Sequence, residues 1–157
     1  MRLTKWTDYT LRVLMHCAAT QNRAQPPTIA EIAERHAISR SHLMKIVMTL
    51  SALGWIESMR GRGGGIRLLK PADQITVGAV VRETETDFHM VECFDDEVNS
   101  CRLDRLCKLK GVLQEATERY LAVLDGVTVA DLMVSPSRVV ELPMKRVSLK
   151  PRASQTA

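Results

Sequence analysis

The chain has 157 residues, 45% of them hydrophobic and 25% charged, with 4% aromatic. This suits one packed domain with a modest appendage and a core of Leu, Val, Ile, Met and Ala. It excludes a membrane-spanning chain, because no apolar run approaches the ~20 residues that a bilayer-crossing helix requires. The net charge of +4 is unevenly spread: residues 1–70 carry 11 Lys and Arg against 4 Asp and Glu, and residues 71–134 carry 6 against 13. A basic first part suits a polyanion, since each phosphate neutralised by Lys or Arg releases condensed counterions. The opening Met1-Arg2-Leu3-Thr4-Lys5-Trp6 has neither the apolar core nor the cleavage site of a signal peptide, so a cytoplasmic protein with no membrane partner is expected.

Helical spacing of Leu11, Leu14, Met15 and Ala18 predicts a first helix over about 7–20, capped by Thr7 or Asp8. A polar loop from Gln21 to Pro27 follows. Thr28-Ile29-Ala30-Glu31 is a capping-box sequence opening a short helix to Arg35, with His36-Ala37-Ile38 as the turn. Ser39 can cap a longer helix from Arg40 to Leu53 with Leu43, Ile46, Val47 and Leu50 inward and Gly54 as its left-handed stop. Two short strands, Trp55–Arg60 and Ile66–Leu69, flank Gly61-Arg62-Gly63-Gly64-Gly65, whose glycines permit a tight reversal. A helix-turn-helix followed by such a hairpin is a winged helix. Beyond Pro71 a helix capped by Thr76 is expected. A stretch from Phe88 to Lys108 without clear period follows, then a helix from about Leu106 to Asp125. Leu109, Val112, Leu113, Ala116, Tyr120, Val123 and Leu124 share one face of this last helix, a rod of about 30 Å. Gly126 ends it, and Thr128-Val129-Ala130-Asp131 can cap one last turn.

The expected fold is therefore mainly α with a small β-hairpin wing. Residues 1–74 form a winged helix-turn-helix, residues 75–134 a cysteine-bearing loop and a long C-terminal helix, and residues 135–157 an aperiodic, disordered tail. The second helix of such a motif enters the major groove by its N-terminal end. Ser39, Arg40, Ser41, His42 and Lys45 are the expected contacts, with Thr49 at the margin. The wing offers Arg60, Arg62 and Gly63. Arg62 stands between glycines, so the tip can carry an arginine into a narrow minor groove. Arg12, with Arg2 and Lys5, can add phosphate contacts. A phosphate cradle for a nucleotide is disfavoured, because no Lys-Ser/Thr follows the glycines and a strand rather than a helix comes next.

Of four cysteines, Cys93, Cys101 and Cys107 lie in one segment with the spacing C-x7-C-x5-C. Structural zinc usually takes closely paired cysteines and four ligands from one chain. Iron–sulfur clusters accept longer loops of thiolates. Arg102, Arg105 and Lys108 would favour thiolates and offset a cluster's charge. On spacing alone iron–sulfur, zinc and redox-active thiols all stay open. Cys17 falls in the first helix as a small core residue, and His89 is a further candidate ligand. A thiol oxidoreductase is disfavoured by the lack of a Cys-x-x-Cys pair, so a non-enzyme is expected.

Several stretches together carry a resemblance: Met1 to Thr4 through Thr7-Asp8-Tyr9, Arg60-Gly61-Arg62-Gly63-Gly64-Gly65-Ile66-Arg67-Leu68, Glu92-Cys93-Phe94, the three cysteines, Leu109-Lys110-Gly111-Val112-Leu113, and Leu124-Asp125 with Ala130-Asp131-Leu132. Over about residues 1–134 the chain resembles the NsrR group of nitric-oxide-sensing repressors, relatives of the IscR and RirA iron–sulfur regulators. The resemblance implies a homodimer whose long C-terminal helix crosses to the partner, bound to a palindromic operator in double-stranded DNA. It also implies one 4Fe–4S cluster per subunit on Cys93, Cys101 and Cys107, with nitric oxide as signal. In that group the fourth ligand can be an aspartate near the N-terminus of the other subunit, a position held here by Asp8. The IscR group places a histidine three residues after the last cysteine; Lys110 stands there instead. Iron sensing of the RirA kind stays open.

Overall fold

The computed structural model describes residues 2–103 and 107–133; the tail expected to be disordered lies outside the described residues. Helix α1 spans Lys5–Ala19. It begins before the expected start because Thr4, rather than Thr7 or Asp8, is the cap: the Thr7 N–H donates to Thr4 Oγ1 at 3.3 Å. The inward line also differs. Val13, Leu14, Cys17 and Ala18 are buried, while Leu11 and Met15 are half-buried. Helix α2, Ile29–His36, is capped by Thr28, which accepts from the Glu31 N–H at 3.2 Å. The return half of the capping box is not made, because the Glu31 carboxylate is held by Arg23 at 2.5 Å. Ala37 closes the helix with φ +53°, and α3, Arg40–Ala52, starts at Ser39 with Leu43, Ile46, Val47 and Leu50 buried as expected. Gly54 stops it in the left-handed region at φ +69°.

Strands β1 (Ile56–Met59) and β2 (Gly65–Leu68) pair antiparallel, Ile56 opposite Leu68 and Met59 opposite Gly65. Glu57 and Arg67 face each other across the pair and form an ion pair. The hairpin is seated on the polar loop: the Ile66 N–H donates to Pro27 O at 2.8 Å. A Cβ at Gly65 would stand 2.5 Å from Pro26 O, so only glycine allows this approach.

Helix α4, Val77–Thr84, is capped by Thr76, as expected. Helix α5 runs Lys108–Asp125 and ends at Gly126. The chain then returns to the start of α4: the Val77 N–H donates to Val127 O and the Val129 N–H to Ile75 O, each at 2.8 Å. Val129 is fully buried and joins Ile75, Val80, Val13 and Leu14 in one core cluster, so packing runs continuously across residue 74. Thr128 and Asp131 cap each other reciprocally, the Thr128 N–H donating to Asp131 Oδ2 at 2.8 Å and the Asp131 N–H to Thr128 Oγ1 at 3.2 Å. Asp125 takes Arg82 of α4 in a two-pronged ion pair at 2.5 and 2.7 Å. This closeness needs Gly78, since a Cβ there would meet the Asp125 carboxylate. The C-terminal end of α5 is thus fixed to the winged core. Among the described residues no helix is long and apolar enough to cross a membrane.

Candidate nucleic-acid interface and metal centre

The burial of Leu43, Ile46, Val47 and Leu50 turns the other side of α3 outward, and Ser39, Arg40, Ser41, His42 and Lys45 are all exposed there. Thr49 is half-buried. Ser39 is occupied in part as the cap, accepting from the His42 N–H at 3.4 Å, and its hydroxyl lies 3.3 Å from that of Ser41. The wing tip turns through Gly61 and Gly63, at φ +94° and +77°, with the Gly64 N–H donating to Gly61 O at 3.0 Å. This conformation projects Arg62 between two glycines, and Arg60, Arg62 and Gly63 are exposed. Two exposed residues of α3 escaped sequence reading: Met44 and Met48 lie on the same outward side. Sequence pattern alone gives them no role; the burial of Leu43, Ile46, Val47 and Leu50 leaves them on that side.

Arg12 is half-exposed, and its guanidinium grips both carboxylate oxygens of Asp8, at 2.9 and 2.8 Å. It also stands over the Tyr9 ring, 5.9 Å from its centroid, and Tyr9 in turn neighbours the His42 ring at 6.1 Å. Arg12 is thus linked to His42 of α3 through Tyr9, and Asp8 in turn through Arg12. Glu85, just past α4, anchors the start of α1: the Thr4 N–H donates to its Oε1 at 2.8 Å, and the Thr7 hydroxyl donates to the same oxygen. Helices α1 and α4 are tied at the end of α1 that carries Asp8.

The three clustered cysteines occupy one connecting segment. Cys93 is buried in a 3₁₀ turn, Glu92–Phe94, beside an open cavity of about 570 Å³ that Thr117 and Leu121 of α5 also line. Cys101 is half-buried, its N–H donating to Asn99 Oδ1 at 3.0 Å. Cys107 is the residue at the N-terminal cap of α5, and its side chain makes no cap bond. Among the described residues no three His, Cys, Asp or Glu side chains converge into a metal-holding group. The donors nevertheless suit an iron–sulfur cluster better than a hard cation. They are soft thiols, the kind of donor that iron–sulfur clusters take. Residues 95–101 make their own turns, such as the Glu97 N–H donating to Asp95 Oδ1 at 3.0 Å, and Val98 and Leu103 are exposed. His89, the further candidate, faces Asp95 at 3.7 Å. Cys17 is a core residue, as expected: burial pushes its thiol up to about 12, which makes it inert.

Residues 3–135 match the family Rrf2, described as an iron-dependent transcriptional regulator. The HTH-type transcriptional regulator NsrR of Bacillus subtilis strain 168 is 48% identical over 142 residues, covering 90% of this chain and 97% of the relative. The regulator of the same name from Bacillus licheniformis is 46% identical over 142 residues, covering 90% and 99%. Among solved structures, IscR of T. potens superposes with a TM-score of 0.66 at 25% identity, covering 85% of this chain and 86% of that one.

Proposed function

The chain belongs to the Rrf2 family of transcriptional regulators, and on that premise we propose that it is a homodimeric DNA-binding repressor controlled by an iron–sulfur cluster that responds to nitric oxide. In this reading each subunit holds one 4Fe–4S cluster on Cys93, Cys101 and Cys107, completed by Asp8 of the partner subunit. The observation that carries it is the placing of three soft thiols in one segment between α4 and the start of α5, with no role in the core for Cys101 and Cys107. The cluster, when bound, supplies iron with which nitric oxide reacts. Nitric oxide enters through the resemblance to the NsrR group.

The rest is the work of this chain's residues. Ser39, Arg40, Ser41, His42 and Lys45 meet the major groove, while Arg60, Arg62 and Gly63 of the wing and Arg12 meet the backbone or the minor groove. Asp8 has both oxygens on Arg12. A carboxylate engaged elsewhere would leave Arg12 free for a phosphate, so the roles proposed for the two side chains support each other. Because α5 is fixed to α4 and the core at its far end, a constraint on the cysteine segment at its near end bears on how the two reading heads are set. Dimeric readers need those heads about one turn of DNA apart, roughly 34 Å. Functionally, residues 1–74 read and residues 75–134 sense and pair. The protein works in the cytoplasm by binding, not by catalysis.

The test is an anaerobic titration of the full-length dimer with nitric oxide, following visible absorbance and binding to an operator duplex together. Operator release over the same range as the absorbance change is the expected result; a changed spectrum with unchanged affinity overturns it. The family's description as iron-dependent favours a second reading, iron sensing. In that case iron chelation releases the operator and nitric oxide does not.

A further inference from the structure

Helix α3 buries Leu43, Ile46, Val47 and Leu50, and at 3.6 residues per turn the opposite side centres on Ser41, Met44, Lys45 and Met48. Met48 is 72% exposed and Met44 52%. With Met59 and Leu69 of the hairpin they form the apolar walls of an open groove of about 1090 Å³ between α3 and the wing, with Arg40 and Arg60 also lining it. Two flexible apolar side chains in the middle of an otherwise cationic reading surface are a poor match to water. They match a partner that is anionic at its edges and apolar at isolated points. The major groove of B-DNA is such a partner: the base edges show hydrogen-bonding atoms and a single apolar group, the C5-methyl of thymine. Methionine makes no useful hydrogen bond with those edges, but its unbranched thioether fills irregular apolar gaps.

We infer that Met44 and Met48 determine sequence specificity by packing against thymine methyl groups, beside the bases and phosphates engaged by Arg40 and Lys45. Four residues of helix separate them by about 6 Å, less than two base-pair steps of about 3.4 Å. The two methyls therefore belong to neighbouring steps of one half-site. The inference rests on the DNA-binding reading above and adds the chemistry of what is read.

Duplexes are selected by the holo-dimer from a randomised pool, and each thymine of the winning sequence is then replaced singly by deoxyuridine, which removes only the methyl. Burial of one methyl predicts roughly fourfold weaker binding at one or two thymines per half-site and none elsewhere. In Met44→Ala or Met48→Ala one of those penalties vanishes, and Met44→Leu keeps it. Both positions are exposed and alanine is a strong helix former, so the variants fold. If uridine is tolerated at every thymine, or the penalties persist in both alanine variants, the inference is overturned while DNA binding stands. If no duplex is enriched at all, the DNA-binding reading itself fails and takes this inference with it.

Discussion

At the scale of single residues, two histidines sit where charge is unwelcome. His16 Nδ1 and His36 Nε2 lie 3.1 Å apart, so one hydrogen serves both rings and they cannot both be cationic. The His16 side chain is 10% exposed; its Nε2 is 3.7 Å from Glu31 Oε1, and Arg23 and Arg35 act on it from the other elements. Burial outweighs the attraction of Glu31 and holds His16 below its ordinary value, while burial first, then His16, Arg12 and Arg35, lower His36. The unfolded chain takes up these protons near the ordinary value of 6.5, the folded chain only at lower pH. Their contribution is therefore full above that value and is lost as the pH falls below it. Urea midpoints should drop from about pH 7.5 to about 5.5, a window above most carboxylate titration. The His16→Gln/His36→Gln double variant should flatten the drop; an unchanged slope refutes the account. The pair joins α1 to the end of α2 across 20 residues, so no local pattern announces it. The start of α1 was misjudged for a related reason. Thr4, Thr7 and Asp8 are all competent caps, and the choice falls to Glu85, which draws Thr4 and Thr7 from 81 and 78 residues away.

At the scale of elements, the wing depends on its seat. Gly65 brings β2 against the Pro26–Pro27 backbone, and a Cβ there would stand 2.5 and 2.8 Å from two carbonyl oxygens that cannot swing aside. Gly65→Ala should therefore cost about 1–3 kcal/mol, several degrees of melting temperature for a chain of this size. It should also weaken operator binding by misplacing Arg62; a melting curve unchanged within a degree contradicts the seat. The strands were legible because the glycine run that turns between them is a local signal. The close approach that makes Gly65 itself necessary was not, because its partner is a loop nearly 40 residues earlier in the chain. The capped helices α2, α3 and α4 were legible for the same reason as the strands: Thr28, Ser39 and Thr76 each act on an N–H three residues ahead. Residues 87–101 show no period because side-chain-to-backbone turns shape them, as at Asp87, Asp95 and Asn99.

At the scale of the whole molecule, the apolar arc of α5 divides in two. Leu113, Thr117, Leu121 and Leu124 turn toward the body of the chain, with the Thr117 hydroxyl bonding Met90 Sδ at 3.2 Å. Leu109, Val112, Ala116 and Val123 stay exposed, Val112 at 61%. Their i, i+3, i+7, i+14 spacing draws a stripe about 21 Å long down one side of a helix whose far end is locked to the core. In the proposed dimer a second copy crossing on this stripe would cover it, and in a two-fold arrangement residues near the axis meet their own copies. Val112→Glu then sets like charges against each other in a dimer but leaves the single chain, where the position faces water, intact. Sedimentation should show a monomer with a preserved circular dichroism spectrum. Operator affinity should fall by about 10²–10⁴, the contribution of linking two heads on one site. An isolated half-site should be bound almost as weakly by the variant as by the parent's single head. A variant that stays dimeric with parental affinity would place the pairing surface elsewhere, and the long helix would then need another reason to leave that stripe bare.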